Sequence, residues 1–233
     1  METSDELAPH KAKVRIIPFG LELKKLSPRL RQSTSARKLR ARYDGPITFT
    51  LGRLIYYKGF QVLIDAFAHV PGTLLLGGEG PLRRALEEQV QRSGLRNRIQ
   101  FLGAIPEAEL GAYYGAADLF VLPSVARSEA FGIVQIEALA AGVPVVNTAL
   151  DSGVPEVSLD GVTGFTVRPD DRHALAAAMN RVLGDPATAR RLSVAARSRA
   201  LTEYDADRMV DSTVTAYREA LQLAPEPSTA PAV

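Results

Sequence analysis

The stretch Pro123–Val146, PSVARSEAFGIVQIEALAAGVPVV, decides how this chain is read. It sets two carboxylates, Glu129 and Glu137, eight residues apart. Between them lie a small-residue turn, Ala130-Phe131-Gly132, and the opening of an apolar helix, Ile133-Val134-Gln135-Ile136. A strand-like run, Leu119–Leu122, precedes the stretch's loop, and another, Val143–Val146, follows the helix. In open α/β sheets this strand–loop–helix–strand order brings a loop and a helix N-terminus to the carboxyl edge of the strands, where ligands bind. A helix N-terminus there offers unpaired N–H groups to phosphate. Glu129 falls in the loop and Glu137 about a turn and a half into the helix. At about 1.5 Å per helical residue they stand roughly 10 Å apart. That separation suits a ligand with hydroxyls at both ends and a diphosphate between them.

Outward from this stretch, short apolar strands alternate with helical patterns, which predicts a parallel sheet covered on both faces. Strands are expected at Val14–Ile17, Ile47–Leu51, Thr73–Leu76, Ile99–Leu102, Leu119–Leu122, Val143–Val146 and Gly164–Val167. Helices are expected at Gly59–His69, Pro81–Gln91, Glu107–Gly115, Gly132–Ala141 and Arg172–Leu183. Pro81 suits a first helical position, and Gly94 and Gly142 suit helix stops. Pro186–Leu223 reads as two helices broken near Tyr204, and no long-period repeat is present. The expected organisation is a flexible N-terminus over 1–13, one α/β domain over 14–223, and a disordered Pro-, Ser- and Ala-rich tail over 224–233.

Composition narrows the classes. Apolar content of 46% and charged content of 23% fit a globular chain with a proper core. No apolar run reaches the roughly 18 residues of a membrane span. The opening METSDELAPH is acidic and polar, unlike a secretory leader. Cysteine is absent, which excludes a disulfide framework and thiolate chemistry. His10, His69 and His173 lack partners at metal-ligand spacing, so no metal site is expected. Between Lys11 and Arg42 stand eleven Lys or Arg and one acid, Glu22. That run is either a solvated face or a patch for anionic lipid or ligand. Aromatics are not interleaved with it, and no nucleic-acid partner is expected.

Further segments join the first. VRIIPFGLEL (Val14–Leu23), LGRLIYYKGFQVLIDAF (Leu51–Phe67), LLLGGEGPLRRALE (Leu74–Glu87), RIQFLGAIP (Arg98–Pro106) and SGVPEVSLDGVTGFTVRPDD (Ser152–Asp171) follow one another along the chain. With the E-x7-E of Glu129 and Glu137, this series resembles the C-terminal, donor-binding half of retaining GT-B glycosyltransferases, the glycosyl transferases group 1 or family 4. The resemblance covers roughly Val14–Tyr217 and implies a Rossmann-like parallel sheet with helices on both faces. It implies transfer of a sugar, with retention, from a UDP-sugar or GDP-sugar, with no cofactor and no metal, in polysaccharide or glycoconjugate synthesis. The wording of Tyr56–Gly59 and Val125–Ala138 is similar to bacterial polysaccharide and O-antigen enzymes. An acceptor sugar or lipid-linked sugar would be held by an N-terminal domain that the matched segments do not include. The expected location is cytoplasmic, with contact at the inner face of the membrane as a peripheral partner.

By that resemblance Glu129, Arg53 and Lys58 are the catalytic candidates. Gly52, Gly78, Gly80, Ala104, Ile105, Ala130, Phe131, Gly132, Ile133 and Glu137 complete the donor-binding set. The residues have readings of their own. A diphosphate needs cations where Arg53 and Lys58 stand, Arg as a fork and Lys as a point charge, whereas the bland reading is two surface cations. Glu137 is an acid on an apolar helix and needs a partner, either a ribose or a structural ion pair. Glu129 contacts the donor sugar or merely complements the helix dipole. Gly78-Glu79-Gly80-Pro81 invites a dinucleotide reading, which fails because Arg83 stands where a third Gly is needed and no acid ends the next strand. Glu156 is either structural or part of the pocket; Asp118, His69 and His173 read as structural or surface residues. Ala130 stands where the family usually has Gly, and the spacer from Ser124 to Glu129 is two residues longer than usual. The rival readings are a nucleotide-sugar-binding module, one half of a split enzyme needing a separate acceptor domain, or a GT-B-type epimerase.

Overall fold

Apolar runs bounded by Gly, Pro or polar residues become six strands: β1 (Ile47–Leu51), β2 (Thr73–Gly77), β3 (Ile99–Gly103), β4 (Leu119–Val121), β5 (Val145–Thr148) and β6 (Gly164–Val167). All pair in parallel, in the order β3-β2-β1-β4-β5-β6. Between them lie α1 (Thr34–Arg40), α2 (Phe60–Phe67), α3 (Arg83–Arg92), α4 (Glu107–Ala116), α5 (Ile133–Ala140) and the single-turn α6 (Val154–Val157). After β6 come α7 (Arg172–Leu183), α8 (Pro186–Glu203) and α9 (Ala206–Ala220). The structure is a computed structural model and describes residues 8–23, 26 and 28–221. Among the described residues no helix is long and apolar enough to cross a membrane.

The sheet belongs to a unit running from Leu23 to Thr202. Strands covered on both faces must be apolar on both, and β2 accordingly has all five residues buried. One face carries α2, α3 and α7, whose Phe60, Leu63, Phe67, Leu86 and Met179 pack on Leu74, Leu76, Leu119, Val121 and Val146. On the other face Phe49 of β1 meets Tyr113 and Tyr114 of α4 and Phe120 of β4, with ring centroids 5.2 to 5.7 Å away. These separations are typical of attractive aromatic pairs. Ser33 caps α1 by accepting the Ala36 N–H at 3.2 Å, and Asp171 caps α7 by accepting that of Ala174 at 2.8 Å.

A second unit joins, among the described residues, those up to Glu22 and those from Glu203 onward. Leu21 donates its N–H to Tyr204 and its carbonyl accepts from Ala206, a single bridge that starts α9. Arg15 and Glu219 pair at 2.5 Å.

Several expectations need correction. Val14–Ile17 is irregular rather than a strand. Pro81 sits in a turn before α3, whose cap is Leu82, so it does not open the helix. The fifth strand begins at Val145, two residues later than the apolar run, because Pro144 has no N–H to give a ladder. α1 and α6 have no counterpart among the expected helices. The tail, 224–233, lies outside the described residues.

Phe49 is fully buried at the centre of the aromatic cluster. Phe49→Ala is expected to cost about 3–5 kcal/mol. Urea unfolding should show this as a lower midpoint with an unchanged slope. A loss below about 1 kcal/mol would mean that the cluster relaxes into the space.

Candidate functional site

β1 has β2 on one side and β4 on the other. The chain leaving β1 returns toward β2, and the chain leaving β4 departs toward β5. The carboxyl ends of β1 and β4 therefore bound a crevice, the place where open parallel sheets bind ligands. The expected site residues come mainly from the two loops on its walls, 52–59 and 122–132.

The first loop rests on the loop after β2. Gly52 N–H bonds Gly77 O at 3.1 Å, Leu54 N–H bonds Glu79 O at 2.8 Å, and Leu82 N–H bonds Leu54 O at 3.0 Å. Gly78 has φ 119°, and a Cβ there would lie 1.9 Å from Gly52 O. Gly78 and Gly80 are thus needed so that two backbones can touch. Gly103 O accepts Gly78 N–H at 2.7 Å, which brings Ala104 and Ile105 beside the same loops, with Ile105 over Gly77.

The two walls of the crevice are joined. Gly59 has φ 68°, and a Cβ there would fall 2.0 Å from Pro123 O. Val125 N–H reaches Tyr57 O at 2.8 Å. Lys58 Nζ and Glu129 Oε2 pair at 2.5 Å, and Ser124 Oγ donates to the same oxygen at 3.0 Å. Their side chains are 13% and 9% exposed, so this is a buried ion pair, unlike the surface ion pairs of α3. Arg53 is exposed, and its side chain forms no bond among the described residues.

α5 supplies the third wall. Its cap, Gly132, is left-handed at φ 69°, and Ile133 starts the helix. Glu137, a little over a turn in, accepts a 2.6 Å hydrogen bond from the Tyr114 hydroxyl. Burial raises the Glu137 carboxyl above the usual carboxylate range; the Tyr114 bond pulls it partly back, and the charge of Glu107 adds to the rise. Burial likewise pushes the Tyr114 phenol well up, helped by the neighbouring Glu137. Glu137 thus has a hydrogen-bonding partner rather than the ion pair of the structural alternative.

A network that the sequence reading did not single out stands behind α5. Gln135, fully buried, donates to Phe131 O at 3.1 Å and Val154 O at 3.3 Å and accepts from Asn147 Nδ2 at 2.9 Å. Asn147 also donates to Val154 O at 3.0 Å and Ser158 O at 3.3 Å, and it accepts from Thr166 Oγ1 at 2.7 Å. Gly153 N–H donates to Ala130 O at 2.8 Å, and a Cβ on Gly153 would strike the Phe131 ring at 2.6 Å. The signal for Gln135 and Asn147 was a lone amide inside each apolar run. Asp118 bonds Arg40 and the Ile47 N–H, as a structural residue does.

Residues 32–199 match the family model described as glycosyl transferases group 1. A GDP-mannose-dependent alpha-(1-6)-phosphatidylinositol monomannoside mannosyltransferase of Mycolicibacterium smegmatis is 34% identical over 201 residues, 81% of this chain and 52% of that protein. Sucrose-phosphate synthase of Thermosynechococcus elongatus superposes with a TM-score of 0.79 at 35% identity, over 89% of this chain and 53% of that one. Anabaena HepE in complex with UDP also gives a TM-score of 0.79, at 27% identity, over 88% of this chain and 57% of that one. The chain spans about half the length of the curated relatives it matches. The six-stranded parallel sheet with helices on both faces is the Rossmann-like half of the GT-B architecture.

The raised carboxyl of Glu137 has a consequence for stability. Between the ordinary carboxylate value and the raised one, the folded chain binds more protons than the unfolded chain, so this group's contribution falls as pH rises through that window. Glu137→Gln keeps an acceptor for Tyr114 and removes the buried charge. The variant is expected to melt at or above the wild-type temperature at pH 7, with the difference shrinking on acidification below the raised value. Melting clearly below wild type at pH 7 would show that the charge serves the fold.

Proposed function

The chain belongs to the glycosyl transferases group 1 family, and from that premise we propose that its β1/β4 edge holds the nucleoside diphosphate of a UDP-sugar or GDP-sugar for transfer with retention. The observation that carries the proposal is the meeting of Lys58 and Glu129 across the crevice, with the N-terminus of α5 and Glu137 alongside. Lys58 has three donors, one of them spent on Glu129, and can reach phosphate oxygens without leaving its partner. Arg53 is free to fold onto the diphosphate as a fork. Glu137 accepts from ribose hydroxyls. Both bonds to Glu129 end on Oε2, and Oε1 faces the donor sugar in this reading.

In transfer, the bond between the anomeric carbon and the diphosphate oxygen breaks and its electron pair leaves with the diphosphate. The acceptor oxygen bonds the anomeric carbon on the face that the diphosphate leaves and passes its proton to a departing diphosphate oxygen. The developing charge on the leaving diphosphate is met by Arg53, Lys58 and the first N–H groups of α5, which stabilises the transition state more than the ground state. The acceptor, a sugar or lipid-linked sugar, would come from the other half of the architecture, in polysaccharide or glycoconjugate synthesis. A nucleotide-sugar-binding module, or a half that works with a separate acceptor domain, is the second reading.

Calorimetry of this chain with UDP and GDP is expected to show binding that survives EDTA and weakens as salt is raised. Glu137→Gln should weaken it by about 1.5–3 kcal/mol, the usual value of a hydrogen bond to a charged group. Binding that appears only with Mg²⁺, or that is indifferent to Glu137, contradicts the proposal.

Oriented placement of donor and acceptor contributes roughly 7–11 kcal/mol to such reactions. The chain as given is therefore expected to transfer little sugar and at most to hydrolyse a donor slowly. Robust transfer to added acceptors by this chain alone would show that it holds the acceptor itself.

A further inference from the structure

We propose that Gln135 is a positioning residue that turns the Phe131–Gly132 peptide so that its N–H faces the donor diphosphate; the inference rests on the donor-site reading above. Gln135 is fully buried on α5, and Gly132 packs against it so tightly that a Cβ there would lie 2.8 Å from Gln135 Nε2. Its Nε2 holds the Phe131 carbonyl at 3.1 Å. A trans peptide is planar, with its C=O and N–H pointing in opposite directions. Fixing the Phe131 carbonyl toward the buried amide therefore fixes the Gly132 N–H away from it, on the outer side of the loop. That N–H makes no backbone hydrogen bond among the described residues.

The orientation of Gln135 is itself determined. An amide has one oxygen and two N–H donors, and the wrong face would set donor against donor. Asn147 Nδ2 donates to Gln135 Oε1 at 2.9 Å, and Thr166 Oγ1 donates to Asn147 Oδ1 at 2.7 Å. The chain of bonds thus runs in one sense from Thr166 through Asn147 and Gln135 to the Phe131 and Val154 carbonyls. The preceding peptide is anchored as well, by Gly153 N–H on Ala130 O at 2.8 Å. Buried networks with every member satisfied rigidify what they touch. Here the object is a single peptide at the left-handed cap of α5, where Gly132 has φ 69°.

The test compares diphosphate with monophosphate. The full chain and its Gln135→Met variant, of similar volume but without the donor, are titrated calorimetrically with UDP, UMP, GDP and GMP. The wild type should bind the diphosphate of the preferred base more tightly than the monophosphate. In Gln135→Met that advantage should shrink about tenfold, the loss expected for one hydrogen bond to a charged group, while monophosphate affinity holds. Glu137→Gln should lower both affinities and keep the advantage. If Gln135→Met keeps the advantage, or loses both nucleotides alike, the positioning role is overturned while the donor site stands. If the variant does not fold, the wild-type Gly132 amide resonance decides. A larger shift with the diphosphate than with the monophosphate supports the role, and no shift overturns it. A wild type that binds none of the four overturns both this role and the donor-site reading.

Discussion

Strand order reverses between β1 and β4, and with every strand parallel all carboxyl ends lie on one edge of the sheet. Connections between parallel strands are right-handed, so two that run in opposite directions along the sheet must cover opposite faces. α2, after β1, accordingly packs on the face of Leu74 and Val121. α5, after β4, carries Ile136 and Leu139, which are buried yet lie outside that cluster. The loops leading into these helices peel apart, and a crevice opens without any cavity having to be carved from the core. Left alone, the two loops would be free to wander. Gly59 under the Pro123 carbonyl, Val125 on Tyr57 and Lys58 on Glu129 tie them together.

What was legible in the sequence follows from this geometry. Buried parallel strands must be apolar, so Thr-Leu-Leu-Leu and Leu-Phe-Val announced themselves by composition. Val14–Ile17 has the same look, yet among the described residues no strand pairs with it, and an extended run without a ladder partner is only coil. α1 was hidden by its charges: Thr34–Arg40 reads as a solvated basic run, although Ala36 and Leu39, three apart after a capping Ser33, bury one face. The E-x7-E spacing placed Glu129 in a loop and Glu137 inside a helix because glycine and the apolar run fix where α5 starts. Gln135 and Asn147 stood out only as lone amides inside apolar runs, and neither they nor Tyr114 and Ser124 disclosed their partners, which the tertiary fold brings together. Nothing local marks those.

The two cations at the edge are held in different ways. Lys58 is fixed by Glu129, and its ammonium lies 5.6 Å from the centre of the Tyr57 ring. A buried ion pair contributes little net stability, because desolvating both charges offsets their attraction, but losing either partner leaves an uncompensated charge. The pair therefore serves placement better than stability: it keeps an ammonium with spare donors at the crevice. Arg53, exposed and with no side-chain partner among the described residues, is the adaptable one, and its five donors suit an anion that arrives from solvent.

α5 carries two polar residues on an otherwise apolar helix, and they are held under opposite conditions. Gln135 is neutral, fully enclosed, and bonded through both ends of its amide, so burial costs it little. Glu137 is ionisable and half-enclosed, with one hydroxyl for company, and its carboxyl is pushed toward the neutral form. A fold selected for stability alone would have no use for the second arrangement, since an apolar residue or an amide would fit the helix at lower cost. Strained electrostatics of this kind gather where a protein must meet something from outside. In the donor-site reading proposed here, the distinction between the amide that is finished and the carboxylate that is not separates, within three residues, the part of α5 that holds the loop in shape from the part that meets a ligand.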